Sequence, residues 1–138
     1  MRELSADHRL LHERPNIAYL CAGHHTAWED AARGMVVLSD LLNHERLSGM
    51  VIDFRTVSHL FNDLEYAELA KRARLFSPTY FPVGWITGPC HADKAELMVR
   101  LLRQHGLNSR SFTSWATLTA WLGCPQAMDP LPRETLEV

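Results

Sequence analysis

The segment Thr87-Gly88-Pro89-Cys90-His91 sets a thiol beside an imidazole, between an apolar run and the start of a helical one. The positive end of a helix dipole and a neighbouring His both favour the thiolate, the form that attacks as a nucleophile. Catalysis would also need a base and a group to orient it, and the candidates are His91, His59 and His24. The plainer reading of Cys90 is a small free thiol closing the turn. The free amides at the same helix start could hold an anion, but the segment lacks a phosphate-loop or dinucleotide glycine pattern.

Eight His residues invite a metal reading. His8 and His12 fall in a strand, where their spacing puts them on one face without making a helical ridge. His24-His25, His59 and His91 each follow a strand, at the end where open α/β sheets bind ligands. A metal would need three or four such groups turned inward. The spacing does not demand it, and neither metal nor cofactor is expected. Asp53 and Arg55 close the run Met50 to Phe54, either facing a ligand or paired as structural ions; the structural pairing is the simpler reading. Lys71, Arg72 and Arg74 read as a solvated helix face. Of the tryptophans, Trp28, Trp85, Trp115 and Trp121, most belong to the core. Trp115 and Trp121, six apart, cannot share one helical stripe, so one is expected to be partly exposed, at a dimer surface in preference to a ligand mouth.

These groups must be positioned by short apolar runs alternating with longer helical ones. His8 to Glu13 and Asn16 to Ala22 read as a hairpin across Arg14-Pro15. Trp28 to Asn43 carries Trp28, Ala31, Ala32, Met35, Ser39 and Leu42 at helical spacing, with Thr26 and Glu29 spaced as a capping box. Met50 to Phe54 and Pro82 to Thr87 read as central strands buried on both faces. Between them Asn62 to Phe76 is a helix with Leu64, Ala67, Ala70 and Ala73 or Arg74 inward, and Asn62 or Asp63 as its cap. Pro89 to His105 is a third helix, with Ala95, Met98, Val99 and Leu102 inward and Gly106 as its stop. Asn108 to Phe112 is a short strand, and Thr113 to Leu122 a short helix capped by Thr113 or Ser114. The order β-β-α-β-α-β-α-β-α implies an α/β fold, with a mostly parallel sheet of about five strands, one antiparallel edge hairpin and four helices. Residues 1–123 form the domain, and 124–138, with Pro125, Pro130 and Pro132, read as a loose tail.

Three stretches resemble the SpoIIAA-like branch of the STAS group (sulfate transporter and anti-sigma factor antagonist domains). Met50-Val51-Ile52-Asp53-Phe54-Arg55-Thr56-Val57 is similar to the group's apolar strand ending in an acidic turn. Trp85-Ile86-Thr87-Gly88 is similar to its later strand, and Phe112 with Trp121-Leu122 to its closing helix. The resemblance covers about residues 8–122 and implies a SpoIIAA/STAS-like fold. In the anti-sigma antagonist branch a phosphorylatable Ser starts the helix after the central strand, where this chain has Phe61-Asn62-Asp63-Leu64 and no hydroxyl. No phosphorylation site is therefore expected there, although Thr56 and Ser58 lie close by. The looser branch implies homodimers and an apolar site for lipid-like molecules.

At 138 residues the chain is long enough for one core without staples. Apolar residues make up 46% and charged ones 22%, too apolar for disorder, and the net charge of −2 gives no electrostatic reason to hold nucleic acid. No apolar run approaches the length of a bilayer span. Cys21, Cys90 and Cys124 are odd in number and lack a CxxC pair, which suits reduced thiols in a cytoplasm. The expectation is a non-catalytic, cytoplasmic, homodimeric binding module for a partner protein or a small apolar ligand. A ligand mouth beside the second long helix would draw on Phe54, Leu60, Phe61, Leu64 and Tyr66. Asp53, Arg55, His59, Cys90 and His91 are further candidate contacts. The alternatives are a small enzyme using Cys90 with a nearby His, and a regulator switched by phosphorylation at Thr56 or Ser58.

Overall fold

Strands that are apolar at every position must be covered on both faces, and the runs around Ala18, Met50 and Trp85 meet that condition. In a computed structural model that describes residues 8–21, 46–57, 61–76 and 81–131, the chain is an α/β protein built on one five-stranded sheet. Its strands are β1 (His8–His12), β2 (Ile17–Cys21), β3 (Gly49–Asp53), β4 (Val83–Ile86) and β5 (Ser109–Phe112), hydrogen-bonded in that order. β1 pairs antiparallel with β2, with a register shift between Leu10 and His12, and the other three pairings are parallel. The described α-helices are α1 (Asp63–Phe76), α2 (Ala92–Gln104) and α3 (Trp115–Leu122), with a 3-10 turn over Pro89–His91 leading into α2. The expected helix at 28–43 lies outside the described residues. No described helix is long and apolar enough to cross a membrane.

Because side chains alternate along a strand, each strand feeds two cores. Ala18, Met50, Phe54, Val83 and Trp85 pack against Tyr66, Leu69, Ala70 and Ala73 of α1 and Ala95, Met98, Val99 and Leu102 of α2. Ile17, Tyr19, Cys21, Val51 and Ile86 turn the other way and meet Leu118 and Leu122 of α3. Parallel strands added in sequence by right-handed crossovers keep their connecting helices on one face. That leaves the last helix, α3, to cover the opposite side.

Local chemistry sets the helix ends. Asn62 Oδ1 accepts from the Glu65 amide at 2.9 Å while Glu65 Oε1 accepts from the Asn62 amide at 3.0 Å, a reciprocal capping box. Ser114 caps α3 by accepting from the Thr117 amide, and Gly123, at φ 79°, ends it in the left-handed region. The inward face of α1 differs from the expected one. Ala70 and Ala73 are buried and Arg74 is exposed with the solvated group, as expected, but Leu64 is 83% exposed and Tyr66 and Leu69 are buried instead. The alanines allowed either phase, and Tyr66 with Leu69 buries more apolar surface than Leu64 with Ala67.

The expected loose tail is also corrected as far as Leu131. Cys124 and Ala127 are buried in the α3-side core, and the Cys124 amide donates to the Thr119 carbonyl at 2.9 Å. Trp115 Nε1 donates to the Ala127 carbonyl at 2.9 Å. From this strap, residues 124–131, Gln126 Nε2 meets His12 Nε2 at 2.9 Å, while His12 Nδ1 meets the Pro15 carbonyl at 3.0 Å. Since a carbonyl can only accept, His12 donates at Nδ1 and accepts at Nε2.

The α3 contact depends on a missing side chain at Gly84, where a Cβ would lie 2.2 Å from Leu118 Cδ1. Leu118 is fully buried and has no free side to swing toward. Gly84→Ala is therefore expected to lower stability by about 1–3 kcal/mol, read as an earlier urea midpoint. Combined with Leu118→Ala, it should cost less than the two single changes added together.

Candidate functional site

The expected site residues do not gather at one place; the sheet sorts them onto its two faces. Asp53 and Phe54 are adjacent at the end of β3, and adjacency in a strand means opposite directions. Asp53 and Arg55 belong to the α3 side, while Phe54, Phe61, Tyr66 and His91 form a cluster on the α1–α2 side. Leu64 points to solvent and touches neither group's core. His59 and Leu60 lie outside the described residues.

On the α3 side Asp53 is fully buried and fully engaged. Its Oδ1 accepts from the Arg55 amide at 2.9 Å and from Arg55 Nε at 3.0 Å. Its Oδ2 accepts from Arg55 Nη2 at 2.9 Å and from the Tyr19 hydroxyl. Arg55 in turn grips Asp129 of the strap with two bonds of 2.7 Å, from Nη1 to Oδ2 and from Nη2 to Oδ1. The Trp115 ring lies 5.5 Å from the guanidinium carbon. Burial pushes the Tyr19 hydroxyl pKa far up, and the Asp53 carboxylate adds to the shift. Burial alone would raise Asp129, yet its bonds to Arg55 and the Leu131 amide hold it below the usual carboxylate range. Burial likewise opposes the charge on Arg55, but Asp129 and Asp53 more than offset it and raise its pKa. With every Asp53 lone pair occupied, this network is an ion clamp between strand end and strap. Tyr19 and Asp129 were not among the residues singled out from sequence. Tyr19 looked like one more apolar strand residue, and Asp129 stood in an apparent tail.

On the α1–α2 side the cluster is aromatic. The Phe54 ring lies 5.8 Å from Trp85, 6.5 Å from Tyr66 and 6.2 Å from His91, and Phe61 lies 5.6 Å from Tyr66. The Tyr66 hydroxyl accepts from the Phe61 amide at 3.3 Å, and burial raises its pKa. Lys94 sits at the rim, 6.0 Å from the Tyr66 ring centre, and donates to Asp63 Oδ1 at 2.7 Å. Among the described residues, Trp85 Nε1 and His91 Nδ1 are buried nitrogens with no hydrogen-bond partner. The sequence places Trp85 in a buried central strand, and no one-dimensional pattern shows that its indole N–H stays unpaired.

The remaining candidates behave separately. Cys90 is exposed in the 3-10 turn, while Cys21 and Cys124 are buried. Exposure alone therefore makes Cys90 the thiol that iodoacetamide reaches first, and such a ranking would carry no catalytic meaning. Cys21 Sγ lies 3.7 Å from the Thr56 hydroxyl, which is half-buried; Ser58 lies outside the described residues. Among the described residues no three His, Cys, Asp or Glu side chains are grouped to hold a metal, and His24, His25 and His59 lie outside them. Trp115 and Trp121 are both half-buried, the former over Arg55 and the latter against Phe112 at 5.4 Å. Both keep part of their surface exposed.

Removing Arg55 strands a buried carboxylate. Arg55→Met is expected to cost about 3–5 kcal/mol, whereas Asp129→Asn, which leaves the Asp53 pair intact, should cost about 1 kcal/mol. The folded pKa of Asp129 lies below its unfolded value, so its contribution is present above the ordinary carboxylate range. It is lost as pH falls below about 4. Urea unfolding of wild type and Asp129→Asn from pH 7 to pH 3 should show the gap between them closing on the acid side.

Compared with protein-family models, with curated proteins and with solved structures, the chain finds no match.

Proposed function

We propose that the chain is a non-catalytic, SpoIIAA/STAS-like binding module of the cytoplasm. It works as a homodimer and holds a small apolar ligand beside α1, with a partner protein as the other occupant considered. One observation carries the ligand reading: the aromatic cluster of Phe54, Phe61, Tyr66, Trp85 and His91 contains two buried nitrogens without partners among the described residues. Ordinary core seldom leaves such groups unsatisfied, whereas ligand sites combine apolar walls with a few convergent polar atoms. The position supports it too, since the cluster gathers around the carboxyl ends of β3 and β4, where open α/β sheets receive ligands. The clamp of Asp53, Arg55 and Asp129 has a structural role in this reading, as its groups already satisfy one another. The dimer rests on the resemblance of Met50 to Val57 and the closing Trp121-Leu122 to SpoIIAA-like sequences.

Native mass spectrometry of freshly purified protein tests this reading, followed by denaturation of the same sample. The expected result is a mass of two chains plus an increment that is released on unfolding. A bare monomer across a range of concentrations would contradict both the dimer and the carried ligand. A bare dimer would move the reading to a protein partner.

A further inference from the structure

The rings that carry the two unpartnered nitrogens both meet the ring of Phe54. Trp85 stands on β4 and is 5% exposed, and His91 ends the 3-10 turn that follows the same strand. Both rings meet the ring of Phe54 edge to face, at 5.8 Å and 6.2 Å. An indole N–H can only donate, and a neutral imidazole nitrogen donates or accepts according to its tautomer. A buried indole N–H ordinarily finds an acceptor, because leaving it unpaired forfeits the hydration it had in the unfolded chain. Among the described residues no side chain supplies one. Phe54 and Phe61 offer only hydrocarbon side chains, and the Tyr66 hydroxyl is engaged with the Phe61 amide. The nearby cation, Lys94, is paired with Asp63 at the rim. An occupant that satisfies this cluster must bring oxygen acceptors and an apolar body.

We propose that Trp85 Nε1 and His91 Nδ1 form the polar end of a binding site for an amphiphilic monocarboxylate. The indole N–H donates to one carboxylate oxygen and His91, protonated at Nδ1, donates to the other. The hydrocarbon part of the ligand lies against Phe54, Phe61 and Tyr66. This inference rests on the apolar-ligand reading and specifies the head group that such a ligand carries.

The test uses the full-length chain labelled with nitrogen-15 and two probes of equal chain length, decanoate and decylammonium. The latter has no acceptor at neutral pH. The indole signal of Trp85, identified by its loss in Trp85→Phe, is expected to shift with decanoate and to stay with decylammonium. Trp85→Phe keeps the ring packing and should weaken decanoate binding about tenfold or more, the loss of one hydrogen bond to a charged group. His91→Phe should weaken it to a similar degree. Equal decanoate affinity in wild type and both variants would overturn the head-group assignment while leaving the apolar site standing. So would a Trp85 indole that exchanges magnetisation with water and does not move while Phe61 and Tyr66 respond. Absence of any response to decanoate would overturn the assignment and the apolar-ligand reading together.

Discussion

A carboxylate withdrawn entirely from water must be held by donors or the strand that carries it will not stay folded, and Asp53 is in that position at the end of β3. Its solution is local first: Arg55, two residues on, turns back and supplies its amide, Nε and Nη2. The guanidinium is then itself buried with a face to spare, and that face recruits Asp129 from far along the chain. Asp129 brings the strap with it, so Cys124 and Ala127 complete the core over which α3 lies. Tyr19 closes the remaining carboxylate position from β2. Strand pairing, strap docking and closure of the α3 face thus converge on one charge.

The same strand carries the functional argument by turning its next residue the other way. Phe54 leaves β3 on the α1–α2 side, where its ring contacts Tyr66, Trp85 and His91. Among the described residues the clamp around Asp53 is saturated, while Trp85 Nε1, His91 Nδ1 and Ser109 Oγ are buried without a partner. The hydrogen-bonding capacity left unspent beside Phe54 is where the proposed ligand would bind.

The strand and helix order was legible because each described element is bounded by strong local signals. The Asn62 box, the Gly123 stop and the Ala95–Met98–Val99–Leu102 stripe are all readable within a few residues. The phase of α1 was less legible, since alanines at 67, 70 and 73 tolerate more than one inward face and only contact with the sheet decides for Tyr66. Arg55 and Asp129 are 74 residues apart, and nothing local links them. Prolines at 125 and 130 suggested a loose end, while the burial that holds the strap is tertiary. The pairing of Asp53 with Arg55 as structural ions was legible from their spacing, and Asp53 and Phe54 fall on opposite faces. Their alternation along a strand was visible in the sequence and already placed them on opposite faces.

The account stands on the claim that ligand binding belongs to the aromatic face and structural pairing to the ion clamp. Hydrogen exchange followed by mass spectrometry, with and without decanoate, addresses that division directly. Exchange should slow in peptides covering Phe61 to Tyr66 and Trp85 to His91, with Cys124 to Leu131 unchanged. Protection confined to the strap, with the aromatic segments indifferent, would contradict it and return the ligand to the Arg55 side.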